Sequence, residues 1–455
     1  MRKKYKYNNN FFLTDIFDQD LLNYSKQYSI EEIRNIWLDY IEKKWKNEFI
    51  NLYLSVPFCK RKCSFCIYAT NILIPGKENQ QKEEYLKSVL DMLDYYKEIF
   101  QKVEFNSFFF WGGTPSILDE DQLEQVSEKL YGLAKFKEWC EKTIECNPDS
   151  VTKKKVEIFH KYGYNRISMW VQSLSQETLR TVNRDYQTEK HVFDALKWMS
   201  QYDFKEISVD LIYGLAGDSP EKFKDSVIRL LENGATSIIF YCLQPTRLYL
   251  KNYFDDDLDV YQEYLEWFFH IFHEINDLLE KKWLPTIDVP ENIMSNANGI
   301  KYSIKDHNII FSERYRYNAG IDSSVLGIWH HANSIIKDNI HYHSLPLDKD
   351  FRKNEFKGVL FNERMAKTYY IYNKLTNKNH LKLKEYKKEV WSEFTDDFHE
   401  EYRELEKKWL MYIEKNVLYF SDTIKNNAKE KFMVGLFFID MEDIKKRIYD
   451  LLWSK

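Results

Sequence analysis

The sequence predicts an α/β fold. A partial (β/α)6 barrel spans residues 50–345, an N-terminal helical extension precedes it (1–49), and a mainly helical C-terminal domain follows (346–455). Three observations predict this. Apolar and aromatic runs alternate with helical stretches of 10–15 residues, the pattern of parallel βα units. Glycine-rich or polar motifs follow those runs, as at the carboxyl ends of barrel strands. Near residue 345 the alternation stops and a lysine- and glutamate-rich tail begins, which places a boundary at 345–360.

The elements follow in order. Ser29 and Glu32 make a capping-box pair, so a helix is expected from Ile30 to Phe49. Phe49–Val56 reads as a strand running into a cysteine loop. A helix over Lys82–Phe100 precedes a buried strand, Val103–Trp111, bounded by Gly112-Gly113. Helices are expected at Glu120–Leu133, Thr152–Tyr162, Gln176–Val182, Glu189–Gln201 and Pro220–Asn233. The strands between them are Lys142–Glu145, Arg166–Gln172, Glu206–Ile212 and Ala235–Leu243. The tail reads as helical from Glu355 to Lys415, then as a short strand, Asn416–Phe420, and a closing helix.

Composition excludes several classes. A hydrophobic fraction of 44% supports a full core, so wholesale disorder is not expected. The net charge of −5, with lysine interleaved among glutamate, argues against a nucleic-acid face. The N-terminus lacks the apolar stretch of a signal peptide, and no run of 18 apolar residues suggests a membrane span, so a cytoplasmic location is expected. Six cysteines in 455 residues do not make a disulfide framework.

Three of those cysteines carry the chemistry. Cys59, Cys63 and Cys66 have the spacing C-x3-C-x2-C. Structural zinc needs four closed ligands, so this set suits a [4Fe–4S] cluster with one iron left open. A partial zinc knuckle or redox thiols share the spacing. An open iron can bind the amine and carboxylate of S-adenosylmethionine (SAM), and one electron then releases a 5′-deoxyadenosyl radical. Such chemistry needs a one-electron donor, such as flavodoxin or ferredoxin, and a small-molecule substrate.

Polar residues punctuate the strand ends. In Trp111-Gly112-Gly113-Thr114, two glycines let backbone approach a ligand, or simply form a βα turn. Glu145-Cys146-Asn147-Pro148 ends the next strand, and Gln172 the one after it. Arg184 is suited either to a carboxylate or to a surface ion pair. Asp210 sits in an apolar run and needs a partner, either a ribose hydroxyl or a protein donor. His330, His331 and His343 lack matching carboxylate spacing and read as solvated or core histidines.

The ordered set Cys59/Cys63/Cys66, Gly112-Gly113-Thr114, Glu145-Cys-Asn-Pro, Arg166 to Ser173 and Asp210 to Leu215 resembles radical SAM enzymes of the oxygen-independent coproporphyrinogen III oxidase-like family. That family includes heme chaperones, heme-degrading methyltransferases and class C radical SAM methylases. The resemblance spans residues 50–335, and more weakly Leu383–Phe438, which is similar to the family's winged-helix-like domain. It implies that the three cysteines bind a [4Fe–4S] cluster and that Tyr53 and Phe65 flank cluster and SAM. It also implies that Gly112, Gly113, Thr114, Glu145, Gln172, Arg184 and Asp210 contact one or two SAM molecules. Three departures argue against the namesake decarboxylation. Tyr68 stands where those oxidases carry a further cysteine, their N-terminal substrate-binding sequence is not visible in residues 1–50, and Trp329-His330 replaces small residues on the substrate side. Class C-like methyl or methylene transfer to an sp2 carbon is therefore the first expectation. Tetrapyrrole chemistry and a non-enzymatic heme chaperone are the alternatives.

Overall fold

In chain order, the strands of the barrel region are β1 (Lys26–Ser29), β2 (Phe49–Val56), β3 (Phe58–Cys59), β4 (Asn71–Ile72), β5 (Glu104–Gly112), β6 (Lys135–Cys146), β7 (Arg166–Gln172), β8 (Glu206–Tyr213), β9 (Ser237–Cys242), β10 (Ile300–Ser303), β11 (Ser323–Ile328), β12 (Ser334–Ile336), β13 (Ile340–Ser344) and β14 (Glu355–Leu360). This computed structural model describes residues 26–44, 49–66, 68, 71–243, 245–281, 300–303, 323–328, 334–336, 340–344, 351–353, 355–360, 363–378, 380–422, 424, 434 and 438.

Twelve of these strands form one sheet in the order β1-β14-β13-β12-β11-β2-β5-β6-β7-β8-β9-β10. Strands β2, β5, β6, β7, β8 and β9 are neighbours in chain order and run parallel, each joined to the next through helix. This is the expected six-unit α/β arrangement. Strand β11 extends it in parallel beside β2, and the flanking strands are antiparallel.

Pleating divides the strand residues between two faces. One face carries Leu52, Leu54, Phe108, Phe110, Ile144, Ile167, Met169, Val209 and Leu211, all fully buried in the main core under the helices. Each such side chain contributes about 1.5–3 kcal/mol by leaving water. The registers Tyr53↔Phe109↔Thr143 and Glu145↔Ser168, with Trp170↔Asp210, place the alternate residues on the opposite face. That face carries the polar and aromatic groups of the site.

Several expectations are refined. Ser29 and Glu32 do form a capping box: the Ser29 amide donates to the Glu32 carboxylate at 2.7 Å, and the Glu32 amide donates to Ser29 Oγ at 3.2 Å. The helix runs Ile30–Lys44, and Phe49 already belongs to β2. Its apolar stripe (Ile33, Trp37, Tyr40, Ile41) is buried in the main core. The expected Lys82–Phe100 helix is two helices, Glu78–Tyr95 and Lys97–Lys102. Residues 355–360, read as the start of the helical tail, are a strand paired with β13 and β1. Of those partners β13 is the preceding strand, whereas β1 is distant in sequence and no local pattern announces its pairing.

A second apolar cluster, from Met365 to Phe438, lies outside the main core. Helices Glu363–Lys378, Leu383–Val390 and His399–Lys407 accompany a three-stranded antiparallel sheet there, of β15 (His380–Lys382), β16 (Met411–Glu414) and β17 (Val417–Phe420). The expected closing helix lies outside the described residues.

Asp218 gives the barrel a pH-dependent stability. It lies between β8 and the helix Pro220–Glu232, and it is 5% exposed. Thr178 Oγ1 and the Ser219 amide donate to its Oδ1 at 3.4 and 3.0 Å, while Oδ2 has no hydrogen-bond partner among the described residues. Burial pushes its pKa up to about 7 from 3.8, against the Ser219 amide bond. The folded chain therefore holds this proton more tightly than the unfolded chain does. The Asp218 contribution to stability is fully present below about pH 4, falls by on the order of 4 kcal/mol as pH rises to about 7, and is flat above that. Asp218→Asn is expected to raise Tm at pH 8 and to leave it nearly unchanged at pH 4. Equal shifts at both pH values would contradict this account.

Candidate active site

The cysteine loop starts where β2 ends. Val56 closes the strand, Pro57 turns the chain, and Phe58–Cys59 makes a two-residue strand paired with Asn71–Ile72. The Asn71 amide donates to the Pro57 carbonyl at 2.7 Å and the Leu73 amide to the Cys59 carbonyl at 3.1 Å, closing the loop base. The glycines at the end of β5 let that strand end pack closely against the start of the loop. A Cβ at Gly112, whose φ is +119°, would lie 2.4 Å from the Val56 carbonyl oxygen, and one at Gly113 would lie 2.4 Å from that of Phe58. Here the close approach that glycine permits is to the protein's own cysteine loop.

The structure joins this loop to the strand ends. Cys59 Sγ lies 3.5 Å from Thr114 Oγ1, and Cys63 Sγ lies 3.5 Å from Arg184 Nη1. Asn147 links the two, since its Nδ2 donates to Thr114 Oγ1 at 3.0 Å and its Oδ1 accepts from Arg184 Nη2 at 2.9 Å. Arg184 is only 3% exposed. It also donates to the Trp170 carbonyl, to Gln187 Oε1 at 3.2 Å and to Tyr186 OH at 3.4 Å. In this structure it braces the loop.

The segment 182–186 clasps the loop from the other side. The Ser64 amide donates to the Val182 carbonyl at 3.1 Å, Asn183 Nδ2 donates to the Lys62 carbonyl at 2.7 Å, and Arg61 pairs with Asp185. Lys62 Nζ lies 3.7 Å from Cys66 Sγ. Burial raises the pKa of the Cys66 thiol, and the Lys62 cation opposes that rise.

The remaining candidates line the inner sheet face. Glu145 is buried on β6, in register with Ser168, whose hydroxyl donates to Asp210 Oδ2 at 3.3 Å. Gln172 occupies an irregularity at the end of β7 with φ +66°, a conformation that costs a non-glycine residue about 1–2 kcal/mol. Its side-chain carbonyl is buried without a hydrogen-bond partner among the described residues. Such a group suits a ligand amine or hydroxyl. Tyr53 stacks on Phe109 at 6.4 Å and meets Trp111 edge-on at 5.8 Å, and Tyr68 meets Trp111 at 5.3 Å. Phe65 is half-buried against the main core.

The donor set fits an iron–sulfur cluster. Among the described residues, no three His, Cys, Asp or Glu side chains converge on a single metal position. A cubane cluster spreads its thiolates over different irons, so they need not converge. Lys62 and Arg184 beside the sulfurs offset the thiolate charge. Trp329, His330 and His331 lie outside the described residues, and His343 falls in β13.

Sequence reasoning missed Asn147 as a link, and it missed Tyr186 and Gln187. Asn147 had a signal, an asparagine before proline at a strand end. Tyr186 and Gln187 had none, because their role depends on where the segment after Arg184 lands.

Comparison with known proteins identifies the domain and the fold. Residues 53–230 match the model of the Radical SAM superfamily. The chain is 28% identical over 191 residues to heme chaperone HemW of Lactococcus lactis, covering 42% of this chain and 48% of that one. It is 28% identical over 204 residues to oxygen-independent coproporphyrinogen III oxidase of Escherichia coli, covering 45% and 42%. The chain thus spans about half the length of these curated relatives. A solved structure of coproporphyrinogen III oxidase (HemN) from Escherichia coli superposes with a TM-score of 0.70 at 19% identity, covering 89% of this chain and 94% of that one, which shows a shared fold.

Proposed function

Because this chain carries a radical SAM domain over residues 53–230, we propose that it is a radical SAM enzyme acting on a tetrapyrrole. Cys59, Cys63 and Cys66 would hold a [4Fe–4S] cluster. SAM would bind beside it on Gly112, Gly113, Thr114, Glu145, Gln172, Arg184 and Asp210, flanked by Tyr53 and Phe65. The observation that carries this reading is the contact of Cys59 with Thr114 and of Cys63 with Arg184, which brings the cysteine loop against the strand-end residues. When bound, the cluster supplies the electron that splits SAM into methionine and a 5′-deoxyadenosyl radical.

The chain's own residues do the positioning. Gln172 offers a buried acceptor, and Glu145 and Asp210 offer carboxylates suited to hydroxyl or ammonium donors. Tyr53, Phe109 and Trp111 form an aromatic wall beside that face, with the exposed Tyr68 ring at its edge. A one-electron donor such as flavodoxin or ferredoxin would deliver the electron.

The names of the relatives favour a tetrapyrrole over class C-like methyl or methylene transfer. The deciding experiment is anaerobic reconstitution, then incubation with SAM, reductant, and coproporphyrinogen III or heme. Formation of 5′-deoxyadenosine with a changed tetrapyrrole is expected. Steady SAM cleavage with both tetrapyrroles unchanged would reject this substrate class, and methyl-labelled SAM would then test methyl transfer. The similarity to a heme chaperone favours a second reading, heme carriage without turnover. A Soret change on heme titration, with no SAM cleavage, would select it.

A further inference from the structure

Building on the cluster site proposed above, we propose that Tyr186 and Lys62 donate hydrogen bonds to the cluster's cysteine sulfurs and thereby set its reduction potential. Tyr186 OH lies 3.8 Å from Cys63 Sγ, and Lys62 Nζ lies 3.7 Å from Cys66 Sγ. A sulfur that ligates iron carries no proton and can only accept. Arg184 Nη1 already donates to the Tyr186 oxygen at 3.4 Å, so the hydroxyl proton is free to point at Cys63. Lysine has donors only.

The Tyr186 ring is held for this task. Lys60 and Arg61 each approach its face at 5.4 Å, and the Arg184 guanidinium approaches it at 5.7 Å. Three cations around one ring fix its plane and strengthen the hydroxyl as a donor. Lys60 is further tied to Asp149 at 3.3 Å and Arg61 to Asp185, so the arrangement is anchored on both sides of the loop.

The consequence follows from charge. A cluster that gains an electron places more negative charge on its sulfurs. Donors aimed at those sulfurs stabilise the reduced form, and removing one disfavours it. Tyr186→Phe keeps the ring and its three cation contacts and removes the hydroxyl, which is both the donor to Cys63 and an acceptor of Arg184 Nη1. Lys62→Met keeps the stem on an exposed residue, where folding is not at stake, and Lys62→Arg keeps a donor.

The test is a redox titration of the full reconstituted chain, read by the EPR signal of the reduced cluster. At a fixed poise, Tyr186→Phe is expected to lower the ratio of reduced to oxidised cluster about tenfold, equivalent to about 59 mV for a one-electron couple. Lys62→Met is expected to move the same way, and Lys62→Arg to match the parent chain. Ratios unchanged in loaded Tyr186→Phe and Lys62→Met would overturn the inference while leaving the cluster site intact. A Tyr186→Phe chain that takes up no cluster leaves Lys62→Met to decide. A parent chain that takes up no cluster overturns the underlying reading as well.

Discussion

Cys63→Ala is expected to abolish both iron–sulfur loading and 5′-deoxyadenosine formation, whereas Cys140→Ala and Cys242→Ala retain both. With only three thiolates available, loss of one leaves two ligands for a four-iron cluster. Cys63 is also the most enclosed of the three, at 7% exposure, and it is the one Arg184 and Tyr186 hold. Cys140 and Cys242 are different thiols. Burial pushes each up to about 12, which keeps it protonated and a poor ligand. Iron and acid-labile sulfide content of the anaerobically reconstituted variants checks the first half, and product analysis checks the second. A Cys63→Ala chain with parental iron content would remove the cysteine loop from the site.

Arg184→Met is expected to cost about 3–5 kcal/mol of stability and to weaken cluster loading about 10–100-fold. The guanidinium is buried and serves acceptors from three places in the fold: Asn147 Oδ1, the Trp170 carbonyl and Gln187 Oε1. Methionine fills part of the volume and leaves these acceptors without their donor, at about 1–3 kcal/mol each where no water enters. The loop loses its tie to Cys63, and losses of that kind around a metal site are typically 10–100-fold in affinity. Arg184→Lys restores the charge but not the fork that spans several acceptors, so only partial recovery is expected. Denaturant unfolding of the unloaded protein isolates the first effect and iron titration the second. Parental stability in Arg184→Met would show that Arg184 does not brace the loop.

Much of the fold was legible because its signals are local. The helix Glu120–Leu133 and the strand Arg166–Gln172 occur with the bounds their patterns imply, since each is bracketed by a turn signal and has a single period. Other elements were misjudged where the deciding contact is remote. Lys135–Cys146 is one long strand, although the sequence predicts only Lys142–Glu145, because β5 also pairs with Lys135 and Phe136 across an irregularity in register. Glu355–Leu360 became a strand because β13 and β1 offer partners on both sides.

For the candidate site, the sequence by itself determined which groups are on offer. Three thiols in eight residues, glycines after one strand and polar residues at the next strand ends are covalent facts that no packing alters. Tertiary structure decided what those groups touch. It turned Gly112-Gly113 into a seat for the cysteine loop and Arg184 into a brace. It made Asn147 a link and brought Tyr186 to Cys63 from 123 positions away in the chain. The physical reason is range: propensity and periodicity act over a few residues, whereas hydrogen-bond partners are chosen by whichever chain segments the sheet brings together.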